Sequence, residues 1–512
     1  MKKITRQKRV ILSMLLAILV MACMCSPASL LAASTPSPEV STPETAVPQT
    51  ELSPTETETP TVEAVVPTTM ASGVEGLQPD VPWLIVSTDD GLWAANMDGS
   101  NLVKLADKSY LEIDLQRAIS SPAHKIAVLT SAQDYYNMLA LQVISLPGGE
   151  VIKTIDLTTV DTEPGTDSAP GDSNLEAMRA VAEQSSFSWS PDGTKLAFTA
   201  ALHKPNADIY VYDLESQDIQ KVSDDAGQDY WPSWSPDGKS ILYFEAEGFG
   251  TGAGYAMSGI WLAAANGSST KKLATPTSSG EQFIGWRDSE TAVLTSWSPM
   301  YGPSQLRLYN IRTQKQTVLV EGAVTGAAVA TGIEVDAGSV LYGSEDGLFV
   351  LPAGAATPQK LSAEKVSSYG YPAAIRWQAD GRIFIVHSEG GVISTFMADG
   401  SQRTDPPFKI SAGTLEVSSF GLIWGWTNKG GENEGAWISG PGMTDSQVLS
   451  GPASNPNWNI DNDLLFFVGQ DLYRSTFNSN YSDTAPVGSL TGNVIDTAWM
   501  GFSEALDIKY GP

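Results

Sequence analysis

The chain has 512 residues, 42% hydrophobic and 17% charged, with 30 basic against 58 acidic side chains and a formal net charge of −28. So strong an acidic excess argues against nucleic acid or an anionic surface as the partner, while the apolar share is ample for a large core. The only cysteines are Cys23 and Cys25, which excludes a disulfide scaffold, a thiolate metal site and a cysteine nucleophile from everything downstream.

Residues 1–22 read as a targeting signal. Lys2, Lys3, Arg6, Lys8 and Arg9 form a basic leader and Val10 to Ala22 an apolar run, shorter than the ~20 residues of a spanning helix. Val20-Met21-Ala22-Cys23 resembles a bacterial lipobox, which makes Cys23 the lipidation site and a membrane the partner of that anchor; Met21 departs from the small residue usual there. The competing readings are cleavage after Ala33, which releases a soluble protein, and an uncleaved anchor extending to Ala33. Cleavage removes the five leader cations, leaving 25 basic against 58 acidic residues and a net charge near −33.

Residues 23–80 are rich in Thr, Pro, Ser and Glu, as in Pro54-Thr55-Glu56-Thr57-Glu58-Thr59-Pro60-Thr61, and no Lys or Arg occurs between Arg9 and Lys104. With so few large apolar residues this segment cannot form a core and is expected to be a disordered stalk. In the polyproline form, at ~3.1 Å per residue, it spans up to ~170 Å.

Residues 81–512 are a tandem repeat. Ser188-Trp189-Ser190-Pro191-Asp192-Gly193 and Ser233-Trp234-Ser235-Pro236-Asp237-Gly238 nearly copy each other, and each opens onto an apolar strand, Lys195-Leu196-Ala197-Phe198-Thr199 and Ser240-Ile241-Leu242-Tyr243-Phe244. Pro presets the turn and Gly takes its left-handed position, so each copy reads as a hairpin. Weaker copies begin at Ser120, Trp286, Trp377 and Trp458, and a third strand recurs, as in Asp208–Tyr212, Gly259–Leu262, Gln305–Tyr309 and Gly347–Val350. Units of strands A, B, C and D fall at about 82–106, 110–157, 184–223, 228–274, 281–321, 325–362, 368–411, 415–450 and 453–491. Sheets with one apolar side each must stack on neighbours, which in a ring makes an all-β propeller. The first unit lacks strand A, and Asn493 to Met500 is an orphan strand A. Pairing the two closes the ring through the chain ends. The expected number of four-stranded blades is eight, with seven and nine as alternatives, because Trp424 to Trp458 is a short step.

These residues resemble the WD40-like repeat of TolB-type proteins, in which a strand ends in Trp-Ser-Pro-Asp-Gly and the next reads like Lys-Ile-Ala-Phe. The resemblance implies a β-propeller that binds partner proteins in the cell envelope. It covers the propeller alone: TolB carries a folded domain ahead of its ring, where this chain has the stalk, so a role in a Tol–Pal system does not carry over.

Catalytic signatures are thin. His124, His203 and His387 fall on different units with no metal spacing, and no Gly-x-Ser-x-Gly, His-Glu-x-x-His or phosphate-loop motif is present. Serine peptidases with similar propellers place their catalytic domain after the ring, and that reading is set aside here. Asp192, Asp237 and Asp380 belong to repeat turns. The acidic loop Asp161 to Asp172 lacks the EF-hand ligand alternation. The Gly-rich stretch 248–254 opens onto a strand rather than a helix and has no nearby Lys, so it is no phosphate cradle. No cofactor and no metal are expected.

Topology is more informative. In a four-stranded blade the B–C loops and D–A connections share one face, and the long insertions are nearly all of this kind: 132–137, 201–207, 245–258, 298–304 and the connection 159–184. They lie on adjacent units and hold Tyr135, Tyr136, Tyr230, Trp231, Phe249, Tyr255, Trp297 and Tyr301. Recognition residues concentrate on loops of rigid scaffolds, with Trp and Tyr as anchors, so these eight are the candidate ligand-binding face. The framework tryptophans Trp189, Trp234, Trp286, Trp377, Trp458 and Trp499 are expected in the core. The function expected is a membrane-tethered binding or scaffold module, monomeric, for a protein, peptide or glycan. The alternative is an extracellular glycoside hydrolase or lyase using paired channel carboxylates.

Overall fold

The computed structural model describes residues 76–79, 82–107, 114–131, 139–158, 173–182, 186–249, 255–275, 280–298, 302–330, 337–363, 375–377, 382–386, 393–397, 400–401, 403, 415–418, 424–428, 434–440 and 443–501. The signal, Cys23, most of the stalk and the 161–172 loop lie outside this set. Among the described residues no helix is long and apolar enough to cross a membrane.

Consecutive antiparallel sheets form a multi-blade β-propeller. Eight sheets have four strands, and a ninth, spanning Ile375–Met397, has three described strands. The described sheets therefore number nine, the top of the expected range. The unit at 415–450 is complete, with strands Leu415–Val417, Trp424–Asn428, Gly435–Ser439 and Ser446–Ser450. Trp424 sits on its strand B, not strand A, so the short step to Trp458 is not a repeat length.

The terminal pairing is present. Trp83–Thr88 takes Val494–Met500 as its antiparallel neighbour, in register Trp83↔Met500 through Ser87↔Asp496. Asp89 fastens the end of this pair by accepting from the Asn493 backbone N–H and Nδ2, both at 2.7 Å. Blade 1 thus combines the two ends of the chain, and its Leu84, Val86 and Trp93 bury against Leu465, Phe467 and Leu472 of blade 9.

The core lies in the seams between successive sheets. Ala197, Ile209 and Val211 of blade 3 meet Ile241, Tyr243 and Ala263 of blade 4; Val293 and Leu306 of blade 5 meet Val340, Tyr342 and Leu351 of blade 6. At about 1.5–3 kcal/mol for each fully buried large side chain, these seams supply the driving force for stacking. The outer D strands are largely exposed, as in Thr270–Ala274 and Gln316–Glu321, and Lys271 and Lys272 on them discourage edge-to-edge pairing.

The repeat turn has one construction in both copies. The Ser190 hydroxyl donates to Asp192 Oδ1 (2.6 Å) while accepting the Lys195 N–H (2.9 Å), and Gly193, at φ 71°, donates back to the Ser190 carbonyl. Ser235, Asp237, Ser240 and Gly238 repeat it. The serine hydrogen bond holds each aspartate below the usual carboxylate range. The framework Trp then ties blade to blade. Trp234 Nε1 donates to the Ser188 carbonyl of blade 3, Trp189 Nε1 to Ala118 beside blade 2, and Trp458 Nε1 to Glu416 of blade 8. Trp234 and Trp458 are buried, while Trp189, Trp286, Trp377 and Trp499 are half-buried.

Candidate functional site

The loop face of blades 3 to 5 is built differently from the sequence expectation. The stretch 245–258 is less a loop than a continued hairpin: strand B of blade 4 runs Ser240–Phe249 and strand C Tyr255–Ala264, with Phe249 opposite Tyr255. Strand A pairs with strand B only as far as Ala246, so the hairpin continues beyond the sheet as a two-stranded arm. In blade 5, Thr291–Ser298 and Gly302–Asn310 likewise narrow a supposed seven-residue loop to 299–301, with Trp297 opposite Pro303. Phe249, Tyr255 and Trp297 therefore stand on paired strands of adjacent blades. Tyr135, Tyr136 and Tyr301 lie outside the described residues.

Tyr230 does not belong to an exposed surface. It is fully buried and packs edge-on against Trp231, with centroids 5.0 Å apart. A bulge between Tyr230 and Ser233 turns its ring into the core beside Phe244. Trp231, on the same bulge, is half-buried and has φ 54°, a left-handed conformation costly for a bulky side chain. The surrounding aromatics hold it there: Trp231 lies edge-on to Phe244 at 5.8 Å. Blade 9 repeats the device with Asn455 (φ 49°), also three residues before its framework Trp and followed by Pro456.

The connection 159–184 contains a helix that periodicity did not reveal, Ser173–Val181, whose Ala177, Met178, Ala180 and Val181 are buried. It packs on strand A of blade 4 and on strands B of blades 3 and 4.

Beneath this face lies a layer of buried ionisable groups. In blade 5, Glu281 at the start of strand A and Arg307 on strand C form an ion pair (2.5 Å), and Arg307 Nη1 also donates to Ser296 Oγ (3.2 Å) and Gln305 Oε1 (3.1 Å). Between blades 3 and 4, Asp208 and Asp229 are wholly buried. Burial raises both above the ordinary carboxylate range, Asp229 strongly so. Tyr243 donates to Asp225 (2.7 Å) and Trp261 Nε1 to Glu245 (3.0 Å). The alternating strand Leu306-Arg307-Leu308 carried the only sequence signal of this layer, a cation at a position where neighbouring blades place Trp261 and Phe349. Among the described residues no group of three His, Cys, Asp or Glu is arranged to hold a metal.

The chain enters blade 1 on the other face. The Gly76 carbonyl accepts from Asn101 Nδ2 (2.7 Å), and the Gln78 N–H donates to Asn96 Oδ1 (2.9 Å). Asn96 and Asn101 flank the C–D turn of blade 1, opposite the B–C and D–A side.

No protein-family model matches the chain. Over 53 residues it is 38% identical to the Tol-Pal system protein TolB of Alcanivorax borkumensis, covering 10% of this chain and 12% of that protein. This match is about as long as one repeat and falls in a chain whose sheets are stacked blades. The chain is a β-propeller, one stretch of which is similar to TolB. The chain is also 34% identical over 91 residues to dipeptidyl-peptidase 5 of Porphyromonas gingivalis, covering 16% of this chain and 13% of that one. The matched stretches thus span about an eighth of either relative. Among solved structures, a eukaryotic initiation factor superposes with a TM-score of 0.50 at 12% identity, over 83% of this chain and 99% of the other. That likeness concerns the fold alone.

Proposed function

We propose that this TolB-like propeller is an exported, membrane-tethered binding module that takes a protein, peptide or glycan on the loop face of blades 3 to 5. The observation that carries this reading is the pair of adjacent hairpins bearing Phe249, Tyr255 and Trp297, on the face opposite the point where the chain from the stalk joins blade 1. Lipidation at Cys23 would hold the protein on the extracytoplasmic side of the membrane, and the acidic charge disfavours nucleic acid.

The enzyme alternative draws less support. A glycosidase needs two carboxylates that reach substrate. Of the five acids on the described A strands (Asp229, Glu281, Asp288, Glu416 and Asp496), Glu281 is engaged by Arg307 and Asp229 is sealed in the blade 3–4 seam. A glycan-array and secreted-protein screen with the mature chain, repeated with Tyr255→Ala and Trp297→Ala, tests the proposal. Binding is expected to fall about tenfold or more, as for a removed aromatic anchor; undiminished binding by both variants would discard the face. Membrane retention unchanged in Cys23→Ser would remove the lipid anchor.

A further inference from the structure

We propose that the acid-rich seam between blades 3 and 4 is a proton-operated element, in which Asp229 is held as the neutral acid and its ionisation loosens the start of strand A, where Trp231 stands. Asp229 is wholly buried; Ser223 Oγ donates to its Oδ2, and its Oδ1 has no hydrogen-bond partner. Ser223 is itself fixed by the Ile209 N–H at 2.8 Å. A carboxylate enclosed with a single donor is poorly solvated, whereas the neutral acid fits the same space at much lower cost.

The surroundings add repulsion. Blade 3 contributes Asp208 on strand C, Lys221 on strand D and Lys204 from its B–C loop; the connection contributes Asp224 and Asp225; blade 4 contributes Tyr243, Glu245 and, on strand D, Lys272. The helix Ser173–Val181 brings Glu176 and Arg179, which pair with each other at 3.4 Å. The cations are engaged elsewhere: Lys221 with Asp208 (2.9 Å) and Asp224 (2.6 Å), Lys204 with Asp224 (2.7 Å), and Lys272 with Glu245 (3.7 Å). Among the described residues none pairs with Asp229. Burial is the main cause that lifts this carboxyl, Ser223 opposes it, and Asp225, Asp208 and Glu245 reinforce it.

The sign follows from linkage. The folded state holds the proton more tightly than the unfolded chain, so the stability it lends is complete below the ordinary range near ~3.9 and is lost as pH rises through the folded-state value. Losing the proton places a charge two residues before the strained Trp231. The seam can then relax only by admitting water through the connection 222–227.

Hydrogen exchange across 222–234 in the intact protein, corrected for the intrinsic pH dependence and run from about pH 5 to about pH 9, tests this. Protection is expected to fall by about tenfold per unit of pH up to the folded-state value and to level off above it, with blade 9 unaffected, and to be flat in Asp229→Asn. The same decline in Asp229→Asn, or no decline in the wild type, overturns the proposal. Should Asp229→Asn not fold, Ser223→Ala decides: without its donor the transition must move to higher pH, and an unmoved transition overturns it equally.

Discussion

Replacing Arg307 by Met should cost about as much as breaking any buried ion pair by removing one partner. Arg307 and Glu281 have side-chain exposures of 2% and 0% and lie 2.5 Å apart. Met keeps most of the apolar stem between the cross-strand neighbours Leu294 and Val318, so packing loss is small. Glu281 is then a buried carboxylate that has lost its guanidinium partner, and removing one partner of a buried pair costs ~3–5 kcal/mol. One consequence separates this from a packing defect. The double variant Glu281→Gln, Arg307→Met should recover to within about 1 kcal/mol of wild type. Urea unfolding of both variants, with midpoint and slope followed, measures this. A single variant within about 1 kcal/mol of wild type, or a double variant no better than the single, would refute the reasoning.

Gly193→Ala should destabilise more than Gly238→Ala. Both glycines have φ near +70°, worth about 1–2 kcal/mol to an L side chain, but a Cβ on Gly193 would lie 2.4 Å from Ser120 Oγ of blade 2, whereas on Gly238 its nearest neighbour is Pro191 at 3.8 Å. Paired thermal melts check the order. Trp234→Phe should lose about 1 kcal/mol from the bond to the Ser188 carbonyl, seen as a lower urea midpoint at unchanged slope. Ending the chain at Asn493 removes strand A of blade 1, exposing the apolar side of Trp83–Thr88; unfolding should become less cooperative, and a peptide of residues 494–501 added in trans should restore it. Calorimetry would detect both effects.

Much of the architecture was legible because blade formation is local. The Ser-Pro-Asp-Gly turn, the alternating strand after it and the spacing of tryptophans each act over a few residues, so unit boundaries and the orphan strand at 493–500 could be read directly. The helix Ser173–Val181 was missed because it is short and follows a long polar stretch, and its amphipathic face gains meaning only against blades 3 and 4. The proposed face was half legible: aromatic residues near strand ends point to it, but nothing local tells which ring a bulge turns inward. Tyr230 and Trp231, adjacent in the chain, have different fates for that reason.

Sequence alone therefore determined that this chain is a series of four-stranded units joined through its two ends, since turn chemistry and strand alternation are carried by neighbouring residues. Tertiary structure alone decided which charges would be enclosed. Glu281 meets Arg307 only once strands A and C of blade 5 lie in one sheet, and Asp229, though six residues from Ser223, is sealed in the seam between blades 3 and 4, so the cost of burying a charge depends on what packs around it rather than on what precedes it.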